Sequence, residues 1–277
     1  MPVNTTHHDS IETTPAATAV TPAGEARSDA PARPGRSVGL VRIAARVLLV
    51  LMIGGAGAFE VNVATNPSVA RAPAIVKAID VAHHATPATV APQDRIAIAL
   101  VASEDATFYS NNGVEVPALV RAFWGYLTGT DTGGSTIEMQ LAHLLFPAAT
   151  QGFWGHVHRV SLALQFDTHF TKGAILSMYL SAVYFGHGYW GIRAASEGYF
   201  GVAPAALTWA QAALLAGIVQ APSALDPVHH LAAARRRMDY VLGRLVGTGV
   251  LTESQASVIA RSDLGLLGPA SVPGRSS

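Results

Sequence analysis

Residues 103–116 read SEDATFYSNNGVEV and residues 132–146 read TGGSTIEMQLAHLLF, and the rest of the chain is best read outward from these two stretches. In the first, an apolar run ends on Glu104 and Asp105 and gives way to a Ser-Asn-Asn-Gly loop. A carboxylate at such an end can face a cleft while apolar neighbours back it, and partial desolvation makes it a better proton acceptor. The same dipeptide also fits an ordinary solvated helix end. In the second, Gly133 and Gly134 permit positive φ or close approach to a ligand, and Ser135 or Thr132 can cap the following helix. Free N–H groups at a helix start attract an anion. Thr136 and Gln140 share one helix face, with His143 close to it. A plain Gly-Gly turn before a capped helix accounts for the same spacing.

Around these stretches apolar residues recur three and four apart and alternating strand patterns are scarce, so the expected fold class is mainly α. Helices are expected over 75–84, 95–107 with Asp94 as N-cap, 116–128, 135–146, 153–170, 172–182, 190–197, 204–219, 229–247 and 252–261. Gly, Pro and Asn clusters at 111–113, 133–134 and 220–227 separate them. No internal repeat is visible, and 263–277 reads as a flexible tail.

Residues 1–37 carry almost no large apolar side chains and cannot offset the entropy of ordering, so a disordered cytoplasmic tail is expected. Residues 38–59, VGLVRIAARVLLVLMIGGAGAF, are interrupted only by Arg42 and Arg46 and can cross a hydrocarbon core of ~30 Å as one transmembrane helix. Arg27, Arg33 and Arg36 precede it, which places the tail in the cytoplasm and everything after Phe59 outside. A cleaved signal peptide is the competing reading, because the uninterrupted apolar core over 47–59 is short and AGA at 56–58 offers small residues. Residues 60–92 read as a membrane-proximal connector and 93–262 as one catalytic-sized domain. Eighteen basic and 18 acidic residues balance, leaving no electrostatic footprint for nucleic acid. The absence of cysteine excludes a disulfide framework and a Cys-ligated zinc site.

The order of motifs resembles the glycosyltransferase family 51 domain, the peptidoglycan transglycosylase found alone or fused to penicillin-binding domains. Its first motif, Glu-Asp-x-x-Phe-x-x-His-x-Gly, corresponds to EDATFYSNNG and retains Glu104, Asp105, Phe108 and Gly113. Its second, Gly-Gly-Ser-Thr-Ile-Thr-Gln-Gln, corresponds to GGSTIEMQ and retains Gly133, Gly134, Ser135, Thr136, Ile137 and Gln140. The blocks at 172–201 and 207–227 follow the family's later segments, so the resemblance covers about 93–260. It implies a lysozyme-like, two-lobed helical domain in which Glu104 is the general base. That base would deprotonate the acceptor sugar's 4-hydroxyl, which attacks an anomeric carbon whose leaving group is a polyprenyl diphosphate, with inversion. The retained motif residues, with His143, His158 and Arg159, would bind substrate.

The third motif, Arg-Lys-x-x-Glu, departs from the pattern. GHVHR at 155–159 stands in its place, so Arg159 replaces the second catalytic-site glutamate, and no acid lies between Glu138 and Asp167. The family's use of a divalent cation such as Mg2+ loses its usual carboxylate here, while His156, His158 and Arg159 can still meet phosphate. Asn111 stands for the first motif's His, Glu138 and Met139 for Thr-Gln, His143 for a Lys or Arg, and Ser181 for Asn. Glu138 reads either as a stand-in for the missing acid or as a solvent-facing helix glutamate. The histidines at 143, 156, 158, 169 and 187 permit a metal-site hypothesis, although zinc binding through both His156 and His158 needs a loop, since i, i+2 positions of a helix do not share a face.

The leading expectation is a membrane-anchored peptidoglycan glycosyltransferase on the extracytoplasmic side of the bacterial cytoplasmic membrane, polymerising lipid II into glycan strands. Neither Lys77 nor Lys172 has a serine three positions before it, so no Ser-x-x-Lys transpeptidase signature occurs, and penicillin-binding transpeptidases enter only as partners. The second expectation is a catalytically silent relative that binds lipid II or glycan and scaffolds cell-wall synthesis. A lysozyme-like hydrolase is the third.

Overall fold

The computed structural model describes residues 66–115, 134–149 and 152–267, with Arg46, Gly54, Gly55, Gly57, Trp124 and Thr128 as isolated positions. The chain divides into Met1–Leu51 and Met52–Ser277, and in the first unit only Arg46 is described, as a helical and exposed residue. The tail expected over 1–37, the membrane helix over 38–59 and the helix over 116–128 lie outside the described residues apart from those isolated positions. Among the described residues no helix is long and apolar enough to cross a membrane.

In the second unit the described α-helices are α1 (Ala72–Ala82), α2 (Arg95–Glu104), α3 (Ile137–Leu145), α4 (Gly152–His169), α5 (Lys172–Ala182), α6 (Gly191–Phe200), α7 (Trp209–Ile218), α8 (Pro227–Gly247) and α9 (Glu253–Ala260). Short 3-10 turns occupy Val69–Arg71 and Pro204–Ala206, and the β structure among the described residues is an isolated bridge between Tyr184 and Trp190. The expected mainly α class is the observed one.

Helix α7 organises half of this unit. Every residue from Ala210 to Ile218 is buried, and a helix apolar on all faces has to be surrounded. It packs on α2 and α8, with α9 against its other side. Helix α8 is amphipathic instead, burying Ala234, Met238, Val241, Leu242 and Leu245 at three- and four-residue spacing. A second set, α3, α4 and α5, packs together with α1 lying on α5, and both sets feed one continuous apolar core. Val69, Ala72, Val76, Ala88 and Val90, from the stretch read as a connector, bury in this core because apolar residues four apart bring one face of α1 onto α5.

Helix starts follow side-chain chemistry. Thr136, Thr171, Thr208 and Thr252 each accept an N–H of the first turn, each worth about 1 kcal/mol. The cap of α3 is therefore Thr136, one residue later than the expected Ser135, because the Thr136 hydroxyl accepts the Met139 N–H. Asp94 stands at the N-cap position of α2, but its carboxylate turns back to the Ala91 N–H at 2.9 Å.

Glu138 is neither a solvent-facing residue nor a cleft acid. It sits fully buried in the first turn of α3, with its Oε1 2.6 Å from Lys172 Nζ. The same ammonium reaches Asp167 Oδ1 at 2.8 Å and Asn111 Oδ1 at 3.0 Å, and it lies over the Phe108 ring. Burial pushes the Glu138 carboxyl up, and Lys172 pulls it back only in part. Burial likewise pushes the Lys172 ammonium down, but Asp167 and Glu138 together outweigh it and hold it above its usual range. The asymmetry is one of partners: Lys172 has two carboxylates, whereas Glu138 has one cation and a second oxygen without a partner among the described residues. Lys172→Met strands that carboxylate and should cost about 3–5 kcal/mol in urea denaturation. Lys172→Met combined with Glu138→Gln should recover most of the loss; equal destabilisation of the single and double variants would refute the pairing.

Candidate active site

Helix α2 ends at Glu104 because Asp105 leaves helical geometry, at φ −153° and ψ 81°. Glu104 is mostly buried, and its two oxygens have different partners. Gln140 Nε2 donates to Oε2 at 3.1 Å, and Arg237 Nη2 approaches Oε1 at 3.4 Å. The Gln140 amide is oriented in turn by the Tyr179 hydroxyl, which donates to its Oε1 at 2.6 Å. Burial, and then the charge of Glu104, push the Tyr179 phenol far up, so it stays a neutral donor. Three elements, α3, α5 and α8, thus fix one carboxylate at the end of a fourth.

Arg237 escaped the sequence reading. A weak signal was present: three consecutive arginines, 235–237, of which Arg237 lies three residues after Ala234 and four before Val241, both on the buried face of α8. Its stem runs beside Gly217 of α7, where an added Cβ would stand 2.9 Å from Arg237 Cγ, and its guanidinium lies 4.2 Å from the centre of the Tyr240 ring. Glycine at 217 is what lets the two helices approach closely enough for the arginine to pass.

A cleft of about 460 Å³ opens next to this group, lined by Ser135, Met139, Gln140, His143, Leu144, Arg159, Tyr179 and Val183. Of the residues singled out in the sequence, Ser135, Gln140, His143 and Arg159 reach it. Arg159 is half-buried without a carboxylate partner among the described residues. Burial pushes its guanidinium down from a very high ordinary value, so it remains a cation. His156 is pushed down by burial and then by Arg159, which keeps its ring neutral at physiological pH.

Other expected contact residues face inward. Asp105 is buried, accepting bonds from Thr107 Oγ1, Asn111 Nδ2 and the Ile137 N–H. With Thr136 holding the Met139 N–H as well, two N–H groups at the start of α3 are held by the protein's own side chains, as in a plain capped turn. Phe108 is a core side chain without exposure. Gly113 adopts φ +82° where a Cβ would meet the Ala163 carbonyl at 2.5 Å, and its own carbonyl accepts the Thr136 hydroxyl at 2.7 Å. Gly134 takes φ +110°, as expected of a flexible turn, and Gly133 lies outside the described residues. His158 does not line the cleft, and its Nδ1 is 2.8 Å from Asn66 Oδ1 and its Nε2 3.1 Å from the Phe146 carbonyl. Among the described residues His143, His156, His158 and His169 belong to no metal-ligating group, whereas His187 lies beside Asp226 and His229.

The fold and cleft define a helical domain built around one oriented carboxylate beside a cation that has no carboxylate partner among the described residues. Residues 75–246, more than half of the chain, match the sequence model of the transglycosylase family, and the chain belongs to that family. It is 35 % identical over 167 residues to penicillin-binding protein 2a of Streptococcus pneumoniae, covering 60 % of this chain and 22 % of that one. Penicillin-binding protein 1C of Escherichia coli is 39 % identical over 159 residues, covering 57 % and 20 %. A Cupriavidus necator protein described by its name as a transglycosylase is 34 % identical over 158 residues, covering 57 % and 68 %. The chain therefore spans about a fifth of the length of the penicillin-binding relatives it matches.

Tyr179→Phe frees the Gln140 amide to turn, and kcat/KM for glycosyl transfer should fall about 2- to 10-fold, the worth of one hydrogen bond. Arg237→Ala removes a charged partner and should cost about 10- to 150-fold in the same assay. Values equal to wild type for both would show that Glu104 needs neither partner.

Proposed function

We propose that this chain is a peptidoglycan glycosyltransferase that polymerises lipid II, in a lysozyme-like, two-lobed domain standing on the outer face of the bacterial cytoplasmic membrane. The observation that carries this reading is the carboxylate of Glu104, held by Gln140 and Arg237 one hydrogen bond from the cleft that Gln140 lines. Glu104 takes the proton of the acceptor 4-hydroxyl as that oxygen bonds to the anomeric carbon, and the bond to the polyprenyl diphosphate breaks with its electron pair leaving on the diphosphate. Arg159 and His143 line the same cleft and supply the cation and the donor that a developing diphosphate charge requires. The curated relatives named as penicillin-binding proteins support a place in cell-wall synthesis, beside transpeptidases as partners.

A resident divalent cation such as Mg2+ fits this cleft poorly. Among the described residues its lining offers Ser135, Gln140, His143, Arg159 and Tyr179 but no carboxylate, and Mg2+ takes carboxylate or phosphate oxygens. No step of the proposed reaction is assigned to one.

The test is a polymerisation assay of the full chain with lipid II in detergent or vesicles, read as a glycan ladder on a gel. Wild type should give polymer, and Glu104→Gln should slow it by about 10²- to 10⁴-fold, the usual worth of a general base. Undiminished polymerisation by Glu104→Gln would overturn the assignment. Arg159 in place of the third-motif glutamate, with no acid among the described lining residues, favours one other reading, a silent scaffold, and lipid II binding without turnover by wild type would select it.

A further inference from the structure

We propose that His187, Asp226 and His229 form a binding site for one first-row divalent transition metal ion, Zn2+ foremost. The three come from two segments that the fold presses together. His187 lies in the loop after α5, closed by the Tyr184–Trp190 bridge, while Asp226 is the N-cap of α8 and His229 belongs to its first turn. Gly186 seats the loop against the preceding turn so closely that a Cβ there would stand 2.6 Å from the Pro222 carbonyl.

One ligand atom from each residue lies within 4.8 Å of the other two. His187 Nδ1 is 3.2 Å from Asp226 Oδ2, and His229 Nε2 is 4.0 Å from the same oxygen. Donors bound at ~2.0–2.2 Å to a tetrahedral ion stand roughly 3.3–3.5 Å apart, so the first pair is already at that spacing. His229 is 65 % exposed, and a small rotation of its ring closes the remainder.

The two oxygens of Asp226 divide their work. Oδ1 accepts the Val228 N–H at 2.9 Å and lies 3.5 Å from the Tyr199 hydroxyl, whereas Oδ2 faces the two imidazoles. That is the outer support a monodentate metal carboxylate needs. His187 itself adopts φ +52°, a left-handed conformation that costs a non-glycine residue energy and persists only where its surroundings enforce it. Two imidazole nitrogens and one carboxylate suit zinc and its neighbours, while Mg2+ and Ca2+ call for oxygen ligands throughout. The exposure of His229 leaves a coordination position open to water. None of the three residues lines the cleft beside Glu104, so the site stands independently of the proposed glycosyl transfer. A bound ion would tie the 184–190 loop to the first turn of α8, ahead of the break in that helix at His230.

The test uses the full chain without an affinity tag, titrated with Zn2+ by calorimetry and with Co2+ by visible absorption, with thermal unfolding alongside. Wild type should bind one ion saturably, give the intense bands of four-coordinate Co2+ and unfold at higher temperature with Zn2+, and excess Mg2+ should leave binding unchanged. His229→Ala, at an exposed position, and Asp226→Asn, which keeps an oxygen for the helix cap, should each weaken binding by at least about 10- to 100-fold and abolish the thermal shift. His169→Ala should bind as wild type. Failure of wild type to bind one ion, or wild-type affinity in His229→Ala, would overturn the proposal and leave a His187–Asp226 hydrogen bond in its place.

Discussion

Four hydrogen bonds converge on the Asp105 carboxylate, from Thr107 Oγ1, from Asn111 Nδ2 to both oxygens and from the Ile137 N–H, and they tie the end of α2 to the start of α3. The two helices belong to different packing sets, one grouped around α7 and the other around α4 and α5. Glu104 precedes the carboxylate by one residue and Gln140 follows the tethered N–H by three, so the tether sets the distance between them. A buried, fully used carboxylate is the appropriate device, since charge-assisted bonds are short and directional and leaving any of them unmade inside the protein is costly. The acidic pair thus divides its labour, with Asp105 building the frame and Glu104 left at its edge.

The same frame explains two departures from the family pattern that look unrelated along the chain. Asn111 stands where a histidine is usual and Glu138 where a threonine is, yet both accept from Lys172 Nζ. Asn111 also donates to Asp105 and accepts the Gly113 N–H, so the ammonium, the amide and the three carboxylates of Glu138, Asp167 and Asp105 form one connected cluster beneath the site. A buried ion pair is weak evidence for stability, because desolvation offsets much of the attraction. What this one supplies is a fixed separation between α3 and α5, the helices that carry Gln140 and Tyr179.

Helix positions were legible because their signals are local. The repeat of apolar residues and the threonine caps act within a turn or two, and the observed ends fall within a few residues of the expected ones, most visibly at α5, where 172–182 was read and Lys172–Ala182 is found. Half of the site was legible for the same reason, since Gln140 and His143 lie three apart on one helix and both reach the cleft. The remainder was not. Whether Glu104 or Asp105 turns outward depends on where α2 unwinds, which Asp105 itself decides through bonds to residues 32 positions away. Arg237 lies 133 positions from the carboxylate it holds, and Glu138 is buried by a helix that its own neighbourhood does not mention.

Electrostatics give the altered third motif a consistent meaning. Among the described residues Arg237 is assigned to Glu104 and Lys172 to Glu138 and Asp167, while Arg159 in the cleft has no carboxylate partner. Burial without a carboxylate makes its charge expensive, as the downward pressure on its guanidinium and on neighbouring His156 indicates. An anion entering the cleft would meet this cation. A glutamate at the same position would hold an anion only through an intervening metal, whereas an arginine meets phosphate oxygens directly and in pairs. Under the proposed glycosyl transfer, the exchange at 159 would change the grip on a diphosphate from cation-bridged to direct and leave the role proposed for Glu104 untouched, because proton acceptor and leaving-group clamp would act at opposite ends of the displaced bond.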